Sequence, residues 1–404
     1  MGSVMGRAAA AAMALVLTVG CVANGGGGAR PGATRSDRAA QGGAAHHGPA
    51  STPPPAPLRA GERFVRLAMP RPFTPVPPKD STDEYRCFLI DPGFTKRTFL
   101  TGSQFLPRNA GIVHHAIFFR VLPSDVADAR RLDAETPGDG WTCFGGTGIG
   151  GDGAAGRLRG AAAWIAAWAP GGREAVLRDH TGYEMPRGSQ IVMQIHYNLL
   201  ATGGKPAGTD QSGIRLRVMG GSADLDPLQT TLVPAPVELP CAPGEAGPLC
   251  NRTSAVLDVW HRFGEAAGAT VSGLNLLCNA GQAPRAGPTQ HCDREVRQAG
   301  VVRAVAGHMH LLGRSIKVEL NPGTSHAKTL LDVPQYNFDD QNARPLAKPV
   351  KVGPGDTLRV TCTHDATLRR QLPEMRSLPP RYVVWGDGTS DEMCLGIVIW
   401  SNPA

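Results

Sequence analysis

Two histidine groups stand out among the twelve histidines of this 404-residue sequence: His308-Met309-His310, and His114-His115 in Val-His-His-Ala-Ile-Phe-Phe. Side chains two apart on a strand share a face, so His308 and His310 can reach one ion, a metal-chelating arrangement. His-x-His alone is also what a solvated edge strand presents. His114 and His115 are adjacent, and regular strand geometry sends neighbours to opposite faces. They can share an ion only through a bulge or bend; without one, the pair reads as one core and one surface histidine. Other motifs carry less. His46-His47 has no third ligand nearby and reads as solvated linker. Gly146-Thr-Gly-Ile-Gly-Gly151 satisfies a dinucleotide-loop string but lacks the preceding strand and following helix that such a loop needs. Asn251-Arg252-Thr253 is a glycosylation sequon, which has no meaning in a bacterial lipoprotein.

The elements that must carry these histidines are short, apolar, often β-branched segments separated by Gly and Pro. They are Gly111–Leu122, Gln190–Leu200, Ile214–Met219, Val301–Leu320, Asp356–Cys362 and Cys394–Trp400. Helical periodicity is confined to Ser124–Glu135 and Ala161–Trp168. The fold class is therefore all-β, of sandwich type. The length suits two domains once a non-globular start is removed. A Gly-Gly-Ser-Ala-Asp-Leu-Asp-Pro interruption after Met219 suggests domains at 63–225 and 226–404.

Residues 1–21 read as an export signal: Arg7, then a small and apolar run too short to span a bilayer, then Gly20-Cys21, which resembles a lipobox with Cys21 as the lipidated residue. Residues 22–62 are Gly, Ala, Pro, Arg and Ser with few large apolar side chains, the composition of a disordered tether. Nine cysteines less Cys21 leave eight, an even set with no Cys-x-x-Cys pair, as expected of disulfides in an oxidising compartment. Of the +7 net charge, residues 1–60 carry +4 through five arginines and one aspartate, leaving +3 for the rest. With no basic, aromatic-interleaved block, nucleic acid is not a partner. Contact with a membrane is expected only through the N-terminal anchor.

Four motifs occur in a telling order: His114-His115, Gln194-Ile195-His196-Tyr197, His308-Met309-His310 and Asp391-Glu392-Met393-Cys394. From about Tyr85 to Trp400 the chain resembles the copper type II, ascorbate-dependent monooxygenases. The resemblance implies two antiparallel, jelly-roll-like β-sandwich domains in tandem, each with one copper, facing each other across a solvent-filled cleft. It implies an electron-transfer copper on His114, His115 and His196. A second, catalytic copper that binds dioxygen would lie on His308, His310 and Met393. The thioether is informative, because a soft ligand selects copper(I) over zinc or magnesium. Disulfides Cys87–Cys143 and Cys362–Cys394 are implied too, while the pairing of Cys241, Cys250, Cys278 and Cys292 stays open, with proximity suggesting Cys241–Cys250 and Cys278–Cys292. Ala306, Leu395 and Ile397 stand where the peptide-processing branch has an arginine, an asparagine and a tyrosine that grip a peptide carboxylate, so a less polar or differently anchored substrate is expected. The implied activity is hydroxylation of a C–H bond of a small organic molecule, with O2, two coppers per chain and ascorbate or a similar one-electron donor. The alternative is a non-catalytic, copper-buffering envelope lipoprotein.

Overall fold

Strand Gln190–Asn198 (Gln-Ile-Val-Met-Gln-Ile-His-Tyr-Asn) is buried almost end to end. Its lack of polar alternation follows from its central place, with Asp83–Ile90 on one side and Val113–Val121 on the other. The computed structural model to which these elements belong describes residues 54–79, 81–151, 161–373 and 375–403. The export signal, Cys21, His46-His47 and the tether up to residue 53 lie outside the described residues.

Trp141–Thr142 and Trp164–Trp168 complete this five-stranded sheet at its two edges. A second sheet runs in the order Arg63–Ala68, Gly213–Gly220, Thr98–Leu106, Thr181–Met185, Asp226–Ala235, Cys394–Ser401, Gly300–His308 and Arg344–Val352, with Ala161–Ala162 and Ala175–Val176 as short side pairings. A third holds Thr289–Glu295, Thr357–His364, Gly313–Leu320 and Lys328–Val333 in that order. One core, including Phe88, Phe118, Met193 and Leu216, fills the space between the first two sheets. Another, including Val233, Val305, Val318 and Val360, lies between the far half of the long sheet and the third.

The protein is mostly β-sheet, as its composition requires, but the long sheet is continuous. Thr181 and Gly182 pair in parallel with Asp226 and Pro227, so one hydrogen-bonded layer serves both cores. Strand Asp226–Ala235 itself serves both, with Leu228 in the first core and Val233 in the second. The strand expectations for all six apolar segments hold, with Val301–Leu320 splitting into two strands. The helix expectations need correction. Val126–Asp133 is helical, but the alanine-rich Trp164–Trp168 is a strand paired with Val113–Val121, because tertiary pairing overrides alanine's propensity. Arg252–Phe263 and Glu265–Cys278 form two further helices. The first is capped by Asn251, the sequon residue, whose side chain accepts from Ser254 N at 3.1 Å. It buries Ala255, Val259 and Phe263 at four-residue spacing. Gly264, at φ 85°, breaks the two apart and hides the longer helical period.

All eight cysteines pair, as Cys87–Cys143, Cys241–Cys250, Cys278–Cys292 and Cys362–Cys394. The tether expected to reach residue 62 ends earlier. Arg217 is fully buried, and its guanidinium needs acceptors: it donates to Glu62 and Glu174 at 2.9 and 2.8 Å and to the carbonyls of Ala56 and Pro57. The chain from Ala56 to Glu62 is thereby tied to the long sheet. Arg217→Met removes one of the two arginines on buried Glu62, leaving Arg59 and Thr101 on it, and frees Glu174 and the Ala56 and Pro57 carbonyls. Stability is expected to fall by about 1–3 kcal/mol, read as a drop in the midpoint of chemical unfolding with copper binding retained.

Candidate metal centre

Registration between Val113–Val121 and Gln190–Asn198 shifts at one point: His115 pairs with His196 but Val113 pairs with Tyr197, so His114 is an extra residue in a β-bulge. The distortion that shared ligation demanded is present. It turns both neighbours toward one side, and His196 Nδ1 lies 3.0 Å from His114 Nδ1 and 3.3 Å from His115 Nδ1. One nitrogen from each of the three rings falls within 4.8 Å of the other two, the span of one coordination sphere.

The protonation pattern suits a cation. His196 Nε2 donates to Asp83 Oδ1 at 2.8 Å, which leaves Nδ1 with its lone pair facing the other two rings. Burial pushes the Asp83 carboxyl up, but its hydrogen bonds with His196 and Thr389 outweigh that and hold it well below the usual range. Burial, then the neighbouring imidazoles, holds His114 and His115 well below the ordinary histidine value; burial also lowers His196 despite Asp83. Tyr85 stacks on His196 at 4.1 Å between ring centres, and Phe338 stacks on His114 at 5.0 Å.

The second set sits where strand Gly300–His308 ends. His310 lies two residues past it, so strand register does not place both imidazoles on a face, yet their rings are 5.2 Å apart. Met309 between them is buried in the core, and its backbone N–H and carbonyl both bond the Tyr336 hydroxyl. His308 Nδ1 donates to Gln341 Oε1 and His310 Nδ1 donates to the Asp391 carbonyl at 3.1 Å. Each ring is thereby left with its lone pair on Nε2. His310 Nε2 is buried with no hydrogen-bond partner among the described residues, a costly arrangement that a metal would relieve. Burial, reinforced by His310, lowers His308 to about 4. The Glu392 carboxylate accepts from the backbone N–H of His310, Leu312 and Met393, fixing two expected ligands from one buried group. Met393 is half-buried, lines a cavity of about 250 Å³ together with His308, and is followed by the Cys362–Cys394 bridge.

A solvent-filled cleft between the two sets is not what the structure has. The rings of His115 and His308 are 6.0 Å apart, so all five imidazoles form one group. Two segments strap it. Phe338 and Gln341, three residues apart, reach His114 and His308 respectively. The run Asp387–Met393 holds His310 directly and reaches the three-histidine set through Tyr85 and Asp83. The Asp387 carbonyl accepts from Tyr85, Thr389 donates to Asp83 at 2.6 Å, and Asp391 and Glu392 hold His310. Spacing does not reveal Asp83, Tyr85, Phe338, Gln341 or Thr389, because each acts through a contact distant in sequence. The carboxylate beside Met393 in the fourth motif is the one signal for Glu392. The Gly146–Gly151 string ends in a short 3-10 turn, Ile149–Gly151, and residues 152–160 after it lie outside the described residues.

Comparison with known proteins bears on the same residues. Residues 286–403 match the family model of the copper type II ascorbate-dependent monooxygenase C-terminal domain, a stretch containing His308, His310 and Met393. No curated protein matches the chain. Among solved structures it is similar to allantoicase, at 10% identity over 84% of this chain and 90% of that chain with a TM-score of 0.19. It is similar to latent PorU from Porphyromonas gingivalis at 10% identity over 80% and 25%, TM-score 0.16, and to the coconut allergen cocosin at 9% over 84% and 85%, TM-score 0.15. Likenesses this weak carry no argument about fold or activity. Residues 286–403 thus identify the C-terminal part of the chain with the C-terminal domain of the copper type II, ascorbate-dependent monooxygenases.

Proposed function

We propose that the protein is a copper monooxygenase that hydroxylates a C–H bond of a small organic substrate, with ascorbate or a similar one-electron donor as reductant. Two imidazole sets at one cavity, in which His196, His308 and His310 each have one nitrogen fixed by a hydrogen bond and the other left with its lone pair, carry this reading. The family match supports it independently. His114, His115 and His196 are read as ligands of the copper that passes electrons, and His308, His310 and Met393 as ligands of the copper that meets O2 and substrate. Copper held there supplies one-electron cycling between +1 and +2 and the activation of O2. The overall reaction takes R–H, O2, two electrons and two protons to R–OH and water.

The chain's own groups set the conditions for that chemistry. Asp83 orients His196, Gln341 orients His308, and the Asp391 carbonyl with the Glu392 carboxylate orients His310, so little reorganisation is needed when the ligands bind a metal. Phe338 and Tyr85 cover the rings and keep water from them. Export is part of the reading, with Cys21 as a lipid anchor; four disulfides support an oxidising compartment.

Two experiments test this. Ascorbate-dependent O2 uptake by the copper-loaded protein, with a panel of small C–H donors, should fall at least 100-fold in His308→Ala while that variant still binds copper at the three-histidine site. Uptake unaffected by the substitution would exclude the oxygenase and leave copper buffering. Asp83→Asn removes the carboxylate that fixes the His196 tautomer. Copper affinity of that site should weaken by about 10–100-fold, measured by competition with a copper chelator, with the His308 site unchanged.

A further inference from the structure

The nature of the substrate can be taken further, on the basis of the monooxygenase reading, from the surface beside His308. In the sheet register, His308 faces Leu395, which faces Pro234; two residues along, Ala306 faces Ile397, which faces Leu232. Facing residues share a side of a sheet, as do residues two apart. These six therefore form one surface, and all of them line the cavity of about 250 Å³. A third row, Ile399 opposite Thr230, extends the floor. The rows are spaced ~7 Å apart, so the floor runs ~14 Å away from the His308 row.

Nothing on that floor offers a charge. The Thr230 hydroxyl donates to the Trp164 carbonyl and is bonded to the Tyr183 hydroxyl, so it is already engaged. The same contact sets Trp164, another lining residue, at the end of the floor far from His308. Two charged residues reach the lining. Arg173 is exposed, and Asp387, whose carbonyl accepts from Tyr85, lies on the three-histidine side. An ammonium laid on the floor would lose its water with no counter-charge in return, and a carboxylate would meet one only at the His308 end, where the copper would be held and where the reacting C–H bond must lie instead. Size narrows the class further. A dry cavity of ~150 Å³ accepts benzene, so this one accommodates a molecule of about ten non-hydrogen atoms by proportion.

We propose that the substrate is a neutral alkyl-aromatic compound of this size, lying along the floor with its ring toward Trp164 and its alkyl C–H bonds beside His308 and Met393. Leu395 and Ile397 are then the residues that set specificity.

The copper-loaded protein without reductant can be titrated with butylbenzene, with 3-phenylpropylammonium, which replaces the terminal methyl by an ammonium, and with 3-phenylpropanoate, following tryptophan fluorescence and heat. Butylbenzene should bind at least tenfold tighter than either ion. Ile397→Glu should weaken it at least tenfold with copper stoichiometry unchanged; should that variant not fold, Ile397→Ala is expected to move the preference from butylbenzene to hexylbenzene. Equal or tighter binding of the ammonium, equal or tighter binding of the propanoate that persists in the copper-free protein, or no binding of butylbenzene, would overturn the inference. Addition of ascorbate separates the two readings. Butylbenzene that binds while no compound supports O2 uptake would overturn the monooxygenase and leave the neutral site standing. Uptake coupled only to the charged compounds would support the monooxygenase and overturn the neutral substrate.

Discussion

One extra residue in one strand governs the geometry of the histidine centre. Without the bulge at His114, His114 and His115 would face opposite sides of the five-stranded sheet, and one of them would be lost to the core. With it, two adjacent imidazoles converge on His196 from the next strand. A bulge leaves its extra residue outside the ladder, so the surrounding sheet must hold it. Here the neighbouring strand is almost wholly buried, and the Cys87–Cys143 bridge ties its other partner strand. Rigid packing on both sides makes the distortion reproducible rather than loose.

Around that point the structure assembles groups that favour neutral imidazole with a defined tautomer. Asp83 does so for His196, Gln341 for His308 and a backbone carbonyl for His310. The acidic groups are themselves held. Asp391 is buried between Arg262 and Arg381, and Glu392 lies beside His364. Breaking such a buried pair from one side typically costs about 3–5 kcal/mol. The segment Asp387–Met393 is therefore a stiff connection, and it contacts groups that orient both histidine sets. A displacement at either set would be felt at the other through Thr389–Asp83 or through Glu392.

Much of this was legible before any coordinates. The spacing of His308 and His310 marks them as a pair, although the chain past the strand end, not a shared strand face, brings their rings together. The strands follow from short β-branched runs, and an oxidising compartment from an even set of eight cysteines. His114-His115 was not legible from spacing, because a bulge depends on the register of two strands and leaves no composition signature. Asp83 and Gln341 were hidden for a related reason: their histidine partners are 113 and 33 residues away. Alanine-rich Trp164–Trp168 misled because pairing to an edge outweighs intrinsic preference. The two helices after Asn251 went unseen because Gly264 cuts the period into halves. Local rules failed wherever a contact distant in sequence decided the outcome.

The central claim is that two chemically different ligand sets share this centre, one of three imidazoles and one completed by a thioether. X-ray absorption at the copper edge of the reduced, copper-loaded protein tests it most directly. The account predicts two coppers per chain and a sulfur scatterer that disappears in Met393→Leu while nitrogen scattering persists. A single copper per chain, or a sulfur contribution unchanged by that substitution, would contradict it.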